Sequence, residues 1–562
     1  MCGIIAVVGK KVANERVLRA QHALKRRGPD DQGLLSFPGC TLAQTRLAIV
    51  DVSPSGHQPM QSAQTPHAIT FNGEIYGYLE LRKELEDCGH TFSTHSDTET
   101  ILKAYAEYGT LCVEHLDGMF AFALWDNHTE TLFLARDRFG KKPLYYAYDE
   151  AGQLVVASEV KALMAYGIVP KISAAGIDAY LALMYLPPTM TFFENIFTLP
   201  PGHTALYKDG ALTVEQYYKL EAKAPLAISY EEAREETKRL LHNAVQKRMI
   251  ADVEVGAFLS GGVDSTLITS IASKYASHPI KTFSIGYGEH INELPFAQEA
   301  ASTIGTNHHT REIDTAITDV LEDVLAYMDE PQADSANLAQ SILSEFASTK
   351  VKVALSGDGG DELFMGYGTY FAYYNRPKLV TLKNALFSNQ LHEHMKSMTV
   401  FPQRMRTKLM KEGGGIPQNW YLPREVCDTE LHDERAINHF DLTCTLPGMF
   451  LTKVDRMSMK HGLEVRSPLL DTALAEFAFS LPVEYKMSHK SGKRILKDIL
   501  AETMPRTFVD RKKQGFGAPV RKWLQTPALR NYVQKKLLGT DVRVHDHLDN
   551  KELTEFVTRT LK

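Results

Sequence analysis

The chain opens at Met1–Gly9 with the sequence MCGIIAVVG. The apolar run Gly3–Val8 predicts a buried strand, because it is too short and lacks the basic lead of a secretion signal. Removal of the initiator Met1, which a small second residue permits, would make Cys2 the N-terminal residue. An α-amine titrates near ~8, so it can accept the thiol proton and later return it. Cys2 is therefore a candidate nucleophile that needs no histidine, although a cysteine at this position is more often of no special importance.

Polar motifs that follow Cys2 could form a site for an amino acid with a side-chain amide. They are Arg26–Asp30, Arg46–Asp51, Asn72–Tyr76 and Ser96–Glu99. Arg46 could bind a carboxylate as a bidentate pair, and Glu74 and Asp97 could bind an ammonium. The side chain of Asn72 and the N–H of Gly73 could form an oxyanion hole. Each motif alone has a structural alternative: Asn-Gly is a common hairpin turn, and Arg46 could be a surface residue.

A second candidate site begins at Leu259–Ser265, which reads LSGGVDS. It lies between an apolar strand and a helical pattern, and its small residues allow backbone N–H groups to converge on a phosphate. The GxxxxGK[ST] pattern is absent, so this is not a Walker loop. A purely structural Gly-Gly turn is the alternative. Asp264 argues against it, because a carboxylate beside a polyphosphate is repulsive unless Mg²⁺ lies between them.

An acidic glycine-rich loop, Ser356–Glu362 (SGDGGDE), follows the apolar run Lys352–Leu355. Ligands of open α/β sheets bind beyond the carboxyl ends of the strands, so both loops are expected at one edge. Asp264 and Asp361 could therefore flank one Mg²⁺–pyrophosphate unit. A solvated acidic turn is the alternative, and the spacing of an EF-hand is missing.

The pattern of the chain changes near residue 213. Before this point, short apolar runs separated by turns predict β-sheets packed with a few helices. From about residue 230, strands alternate with helices, which predicts a parallel sheet, and the part after Asn375 is mainly helical. The predicted strands are Gly3–Val8, Leu42–Val50, Ala68–Phe71, Met119–Trp125, Leu132–Ala135, Leu154–Ala157, Glu254–Leu259, Lys281–Tyr287 and Lys352–Leu355. The predicted helices are Gly77–Cys88, Thr98–Tyr108, Tyr230–Met249 and Thr266–Tyr275.

Length and composition set outer limits on the class of protein. A chain of 562 residues is longer than the size at which a single hydrophobic core stops growing. We therefore place two domains at residues 1–213 and 214–562. The net charge of −6 gives no sign of a nucleic-acid partner, and charged residues interrupt each apolar stretch before it could span a bilayer. The six cysteines include no CxxC pair and form no disulfide framework, so a reducing cytoplasm fits best.

The N-terminal motifs resemble the N-terminal-nucleophile (class II) glutamine amidotransferase domain, in particular that of glutamine-hydrolysing asparagine synthetases. The matching segments are MCGIIAVVG, RRGPDD, TRLAIVD, FNGEIYGY, SDTET, DGMFAFALWD, ARDRFGKKPLYY and ASEVKAL. The resemblance implies an α+β fold of layered β-sheets with helices, in which Cys2 is the nucleophile. It implies that glutamine is bound by Arg46, Ile49, Asn72, Gly73, Glu74 and Asp97. Gly77 departs from the family, which usually has Asn there, but Gly77 lies outside the residues assigned to chemistry.

The two later loops resemble the ATP-pyrophosphatase (PP-loop) domain of the same family, which cleaves ATP to AMP and pyrophosphate. The resemblance implies an α/β domain with a mainly helical C-terminal part and Mg²⁺ held by Asp264 and Asp361. Asp358 matches an acidic residue near the acyl-adenylate, and Lys493 matches a lysine that stabilises the reacting phosphate. The implied ATP-binding residues are Leu259, Ser260, Gly261, Gly262, Val263, Asp264, Ser265, Ile285, Ser356 and Gly357. The resemblance extends through Leu451–Ser458, Glu464–Asp471 and Gln514–Pro519.

The two halves together imply that ammonia from glutamine amidates a carboxylate activated by ATP. The family has a passage for ammonia, which Met119–Leu124 could line, although this run is equally a core strand. The resemblance names aspartate as the acceptor. Gln332 and Asn337 replace the commoner Phe and Ala, and the extra amides could favour a sugar uronate instead, or a peptide. We expect small-molecule substrates (glutamine, ATP and aspartate), no nucleic acid or membrane, and a homodimer.

Three rival functions make different demands on the sequence. A scaffold with degraded sites should have lost Cys2, Asp264 or Asp361, and all three are present. A glutaminase coupled to sugar-phosphate isomerisation would lack the loop Ser260–Ser265. A tRNA-thiolating enzyme would need catalytic cysteines in the C-terminal half, where Cys427 and Cys444 lie outside recognisable loops.

Overall fold

The protein is described here by a computed structural model. It describes residues 1–221, 224–286, 292–313, 317–375, 390–417, 421, 426, 431, 434–489, 491–511 and 520–561. Tyr287, Cys427 and the segment 514–519, which the sequence analysis singled out, lie outside this part. Cys2, Cys40, Cys88, Cys112 and Cys444 are free thiols. None of the described helices is both long and apolar enough to cross a bilayer.

The N-terminal half contains two antiparallel sheets. Their strands are β1 Gly3–Val8, β2 Asp31–Phe37, β3 Cys40–Arg46, β4 Met60–Gln61, β5 His67–Ile75, β6 Gly118–Asp126, β7 Thr131–Arg136, β8 Tyr145–Tyr148, β9 Leu154–Ala157, β10 Ile196–Thr198, β11 His203–Lys208 and β12 Ala211–Gln216. The first sheet has the order β10-β8-β9-β1-β3-β2, and the second has the order β12-β11-β7-β6-β5-β4. The central strands β1 and β6 are buried along almost their whole length.

The alternation of side chains along β1 explains how the layers stack. Ile4, Ala6 and Val8 pack into the core between the two sheets, whereas Ile5 and Val7 pack against helices on the outer face. Other helices cover the outer face of the second sheet through a separate core. The result is a helix–sheet–sheet–helix stack, which confirms the predicted layered α+β domain. Its described helices are α1 Asn14–Ala23, α2 Tyr78–Asp87, α3 Asp97–Tyr108, α4 Cys112–His115, α5 Val160–Tyr166 and α6 Ala174–Leu183.

The C-terminal half is built around a parallel sheet of the order β15-β14-β13-β16-β17. These strands are β13 Val255–Phe258, β14 Lys281–Gly286, β15 Asn307–Glu312, β16 Val353–Leu355 and β17 Glu464–Arg466. The predicted α/β domain is thus confirmed. Its described helices are α7 Tyr230–Arg248, α8 Val263–Tyr275, α9 Leu294–Ile304, α10 Ile317–Tyr327, α11 Ala336–Ser348, α12 Gly360–Leu363, α13 Gly368–Tyr374, α14 Gln390–Met398, α15 Gln403–Leu409, α16 Glu434–Phe440, α17 Thr452–Met459, α18 Thr472–Ser480, α19 Val483–Lys486, α20 Arg494–Leu500, α21 Arg506–Val509, α22 Val520–Trp523, α23 Pro527–Leu538, α24 Val544–His547 and α25 Asn550–Leu561. A π-helix, Asp441–Leu451, joins α16 to α17.

Two local predictions differ from the structure. The predicted strand Leu42–Val50 ends at Arg46, because the next N–H groups have other partners: Leu47 N donates to Met1 O, and Ala48 N donates to Asp30 Oδ2. The predicted strand Ala68–Phe71 continues to Ile75, since its second half pairs with β6. The Asn72-Gly73 pair is therefore inside a strand and forms no hairpin turn. The domain boundary at residues 213 and 214 stays a prediction, and β12 continues across it.

Buried ion pairs join the two halves of the chain. Arg27 Nη1 lies 2.8 Å from Glu159 Oε1 and 2.7 Å from Asp455 Oδ2. Arg456 Nη1 lies 2.8 Å from the same Glu159 oxygen, and Lys142 Nζ lies 3.5 Å from Asp455. Because loss of one partner would leave a buried charge uncompensated, these contacts fix the halves against each other.

Candidate active sites

Cys2 immediately precedes the central strand β1, and its main chain is held by two hydrogen bonds at the end of the sheet where β1 begins. Its N–H donates to Asn72 Oδ1 at 3.0 Å, and its carbonyl accepts from Arg27 Nε at 3.0 Å. Met1 precedes it, with its ammonium 3.2 Å from Glu464 Oε2. After removal of Met1, the nitrogen that contacts Asn72 would be the free α-amine of Cys2.

Asn72 has a second polar atom besides the Oδ1 that accepts from Cys2. Its Nδ2 is buried and finds no acceptor within the described part of the chain. A buried amide donor without a partner costs free energy, which a developing oxyanion would recover. The next residue must be Gly73, because a Cβ there would lie 2.1 Å from Met119 O. The predicted oxyanion-hole residues therefore lie beside Cys2.

A small cavity next to Cys2 brings the other predicted residues together. Its walls include Arg46, Ile49, Gly73, Glu74 and Asp97. Burial raises the pKa of Asp97 to about 6. The pKa of Glu74 is raised well above its ordinary value, mainly because the carboxyl group is buried and to a smaller extent because Asp97 carries a negative charge nearby. Two neighbouring buried carboxyl groups of this kind gain free energy when an ammonium binds between them.

Arg46 is fixed at the mouth of this cavity by the turn that follows β3. Its Nη2 donates to Val50 O at 3.1 Å and to Asp51 O at 2.7 Å. The guanidinium packs directly on Gly56, where a Cβ would lie 2.2 Å from Nη2. Arg46 is 5% exposed, and these contacts fix the orientation of its guanidinium. A fixed, largely buried guanidinium suits the binding of an anion.

The sequence analysis missed the contribution of the C-terminal half to this first site. Arg466 Nη2 lies 3.3 Å from Glu74 Oε2, and Arg466 Nε donates to Glu464 Oε1 at 2.6 Å. Arg466 and Glu464 belong to β17, the edge strand of the parallel sheet. Gln58, Ser96 and Thr98 also line the cavity. Nothing in local spacing points to Glu464 or Arg466, although both lie in a segment that carries the family resemblance.

The second site is a cavity of about 960 Å³ at the carboxyl edge of the parallel sheet. The whole loop Leu259–Ser265 lines it, together with Ile285, Ser356, Gly357, Asp358, Asp361 and Lys493. Gly261 has φ +72°, and a Cβ there would lie 2.6 Å from the main chain of Phe296. The helix α8 starts behind this loop without a side-chain cap. Its first N–H groups are therefore available to an anion.

Asp264 and Asp361 meet at one lysine. Lys493 Nζ is hydrogen-bonded to Asp264 and lies 2.8 Å from Asp361 Oδ1. Burial lowers the pKa of Lys493, but the two carboxylates outweigh burial and raise it well above its ordinary value. The two loops predicted to converge are thus in contact, and Gly360 makes this possible: a Cβ there would lie 2.5 Å from Asp264 Oδ1.

Two converging carboxylates also suit a magnesium ion. Mg²⁺ prefers one or two protein carboxylates and takes its other ligands from water and substrate phosphates. Asp264 and Asp361 offer that set. No group of three or more His, Cys, Asp or Glu residues able to hold a metal occurs in the described ranges. Asp264 and Asp361 fit a Mg²⁺ ion that takes its other ligands from substrate phosphates and water.

Asp358 lines the second site, and the amides of Gln332 and Asn337 are hydrogen-bonded to neighbouring residues. Asp358 Oδ2 accepts from Ser356 Oγ at 2.6 Å, and burial raises the pKa of Asp358. Asn337 Nδ2 donates to Gln332 Oε1 at 2.9 Å, and Gln332 Nε2 donates to Met449 O at 2.8 Å. The two amides are thus bonded to each other and to the π-helix, but Asn337 Oδ1 is buried without a hydrogen-bond partner in the described part of the chain, so their effect on the choice of acceptor stays a prediction.

A buried cysteine that shares a small cavity with two carboxyl groups, in a chain that also has a glycine-rich phosphate loop at a second cavity, defines the class as an enzyme with two separate sites. The model of the asparagine synthase family matches residues 236–562, and the model of the glutamine amidotransferase domain matches residues 1–218. The chain therefore belongs to the asparagine synthase family. It is an ATP-dependent amidotransferase ligase with an N-terminal-nucleophile glutamine amidotransferase domain.

Similar curated proteins span nearly the whole chain. Asparagine synthetase [glutamine-hydrolyzing] 1 of Bacillus subtilis is 32% identical, over 97% of this chain and 91% of that protein. Asparagine synthetase [glutamine-hydrolyzing] 3 of the same organism is 30% identical, over 99% of this chain and 93% of that protein. A putative asparagine synthetase [glutamine-hydrolyzing] of Mycobacterium tuberculosis is 33% identical, over 94% and 89%, respectively.

Proposed function

We propose that the chain is a glutamine-dependent asparagine synthetase. It converts ATP, L-aspartate, L-glutamine and water into AMP, diphosphate, L-asparagine and L-glutamate. The observation that carries the proposal is the contact of Cys2 N with Asn72 Oδ1, which keeps the amide with the unsatisfied donor Nδ2 next to Cys2, in a chain that also contains the LSGGVDS loop. Aspartate is supported by the names of the similar proteins. The cytoplasm and a homodimer remain predictions from the sequence and its family.

In the proposed glutaminase reaction, the Cys2 thiolate attacks the side-chain amide carbon of glutamine. The α-amine takes the thiol proton and gives it to the departing ammonia, and water then releases glutamate from the thioester. Asn72 Nδ2 and the Gly73 N–H stabilise the oxyanion. The α-carboxylate of glutamine binds Arg46, the α-ammonium binds Glu74 and Asp97, and Ile49 packs on its chain.

In the proposed synthetase reaction, the β-carboxylate of aspartate attacks the α-phosphorus of ATP, and pyrophosphate leaves into the loop Ser260–Ser265. Asp264 and Asp361 would hold a Mg²⁺ ion, which would supply positive charge to the pyrophosphate. Lys493 exchanges its carboxylate partners for phosphate oxygens, and Asp358 lies beside the acyl-adenylate. Ammonia then attacks the acyl carbon, and AMP leaves. Positioning and charge stabilisation provide most of the rate.

A product assay tests the acceptor. The purified chain is incubated with glutamine, ATP and Mg²⁺, with either aspartate or a panel of sugar uronates, and AMP and the amide product are measured. We expect asparagine and AMP in equal amounts with aspartate and no AMP above background with uronates. AMP formation with a uronate in the absence of any asparagine formation would refute the proposal.

A further inference from the structure

An ion pair on the wall of the nucleotide cavity is used by neither the phosphate loop nor the proposed magnesium site. Lys453 Nζ lies 2.7 Å from Asp334 Oδ2, and both side chains line the cavity. Lys453 belongs to α17, and Asp334 belongs to the loop that precedes α11. The exposed fractions of the two side chains are 12% and 14%. The pair is therefore mostly removed from water but open to a ligand.

Both members of this pair are held in place. Asp334 Oδ1 accepts from Ala336 N at 2.9 Å, so the carboxylate is oriented by its own loop. The ammonium of Lys453 lies 4.9 Å from the ring centroid of Phe450, a distance at which the ring attracts a cation. Asp358, which the proposed function assigns to the acyl-adenylate, lines the same cavity as the pair.

The other cations on the cavity wall have partners that lie towards the phosphate loop. Lys493 contacts Asp264 and Asp361, and the guanidinium of Arg511 donates to the carbonyl of Gly261. Lys497 follows Lys493 by one helical turn and donates to Ser491. Within the described lining, Lys453 is the cation whose acidic partner comes from the loop that the sequence analysis assigned to the acceptor.

We propose that Asp334 and Lys453 recognise the acceptor as a zwitterionic α-amino acid, with Asp334 binding its α-ammonium and Lys453 binding its α-carboxylate. This inference rests on the proposed function and adds the basis of its specificity. Without acceptor, each charge compensates the other. With an amino acid bound, the two charges of the ligand replace this pairing, so no buried charge is left alone.

The same arrangement discriminates against other carboxylates. A sugar uronate carries no ammonium, so its binding would separate Asp334 from Lys453 without giving Asp334 a new cation. A site whose buried polar groups are left unpaired rejects such analogues strongly.

Two analogues separate the two contacts. Succinate is aspartate without the α-ammonium, and 3-aminopropanoate is aspartate without the α-carboxylate. The assay uses the full chain with ATP, Mg²⁺ and an ammonium salt. It measures kcat/KM for aspartate by pyrophosphate release and the inhibition constant of each analogue against aspartate. Melting temperature and KM for ATP verify that each variant is folded.

Asp334→Asn keeps the oxygen that accepts from Ala336 N but loses the charge. We expect a roughly tenfold to hundredfold loss in kcat/KM for aspartate, the range for a hydrogen bond to a charged group, with less than about a threefold change for succinate. Lys453→Gln should weaken aspartate and succinate to a similar extent and leave 3-aminopropanoate unchanged. Glu345→Gln, in an exposed ion pair with Arg311, is the matched control and should change none of these values.

Equal losses for all three compounds in both variants would refute the inference, since the pair would then only shape the cavity. If a variant unfolds, Asp334→Glu and Lys453→Arg keep the charges, and unchanged ratios between the three compounds are expected for them. A wild-type chain that adenylates a uronate but not aspartate would refute the proposed function itself. If the wild-type chain uses aspartate, but Asp334→Asn and Lys453→Gln leave the ratios between aspartate, succinate and 3-aminopropanoate constant, only this inference is refuted.

Discussion

Asn72→Ala gives the most direct test of the first site, because one amide has two separate tasks there. Its Oδ1 accepts from the nitrogen of Cys2 at 3.0 Å, and its Nδ2 is the buried donor without an acceptor in the described structure. Loss of one oxyanion-hole donor costs roughly 10²–10³ in kcat. Loss of the hydrogen bond that orients the α-amine adds a smaller penalty of about 1 kcal/mol. Glutaminase kcat should therefore fall at least a hundredfold.

The second site provides the internal control for this variant. Asparagine formation from ATP, aspartate and an ammonium salt should stay within about twofold of wild type, because no step of it uses Asn72. Glutamate release from glutamine is measured in parallel. Asn195→Ala, a truncation whose amide contacts Lys171 N and Val169 O, should change neither rate. A fall of less than tenfold in glutaminase kcat for Asn72→Ala would show that the unpaired Nδ2 is no oxyanion donor.

Three further predictions concern the separation of the sites and their charges. Cys2→Ala should abolish glutamine-dependent synthesis and spare synthesis from ammonium salt; loss of both activities would disprove separate sites. Asp264→Asn should reduce synthesis at least a hundredfold while glutaminase turnover stays measurable, and a parallel loss of both rates would argue against its assignment to Mg²⁺. Because burial raises the pKa of Asp97 to about 6, Asp97 loses its negative charge as pH falls through about 6. KM for glutamine should then rise below that pH, and a KM that stays flat down to about pH 5 would exclude this role.

The sequence predicted what depends on short segments. The LSGGVDS loop, the acidic loop at Ser356–Glu362 and the strand Gly3–Val8 carry their signals within a few residues, because tight turns need glycine and a buried strand needs consecutive apolar side chains. Asn72 and Gly73 were identified as site residues, yet the same pair admitted a hairpin turn. The pairing of β5 with β6 decides between a strand and a hairpin turn at these residues. This pairing is a tertiary contact, so the residues around Asn72 and Gly73 do not reveal it.

Other parts of the sites could not be predicted from local patterns. Arg466 reaches Glu74 from a strand nearly 400 residues later, so no spacing rule connects them. Gln332 and Asn337 suggested an amide-rich acceptor pocket, and this stays a prediction, because side-chain direction determines whether an amide faces a ligand or its neighbour. Lys453 lies in the segment Leu451–Ser458, which carries the family resemblance, but local spacing assigns it no role, because its partner Asp334 lies in a distant loop.

The buried ion pairs of Arg27 constrain which N-terminal and C-terminal halves can be combined in one chain. Arg27 takes one carboxylate from its own half, Glu159, and one from the other half, Asp455. A chimera that joins this N-terminal half to a foreign partner without an acid at the position of Asp455 would remove one of the two carboxylates that compensate the buried guanidinium of Arg27 and would therefore be destabilised. Gene fusions that exchange halves between relatives should yield stable hybrids only where the matching acids are transplanted as well.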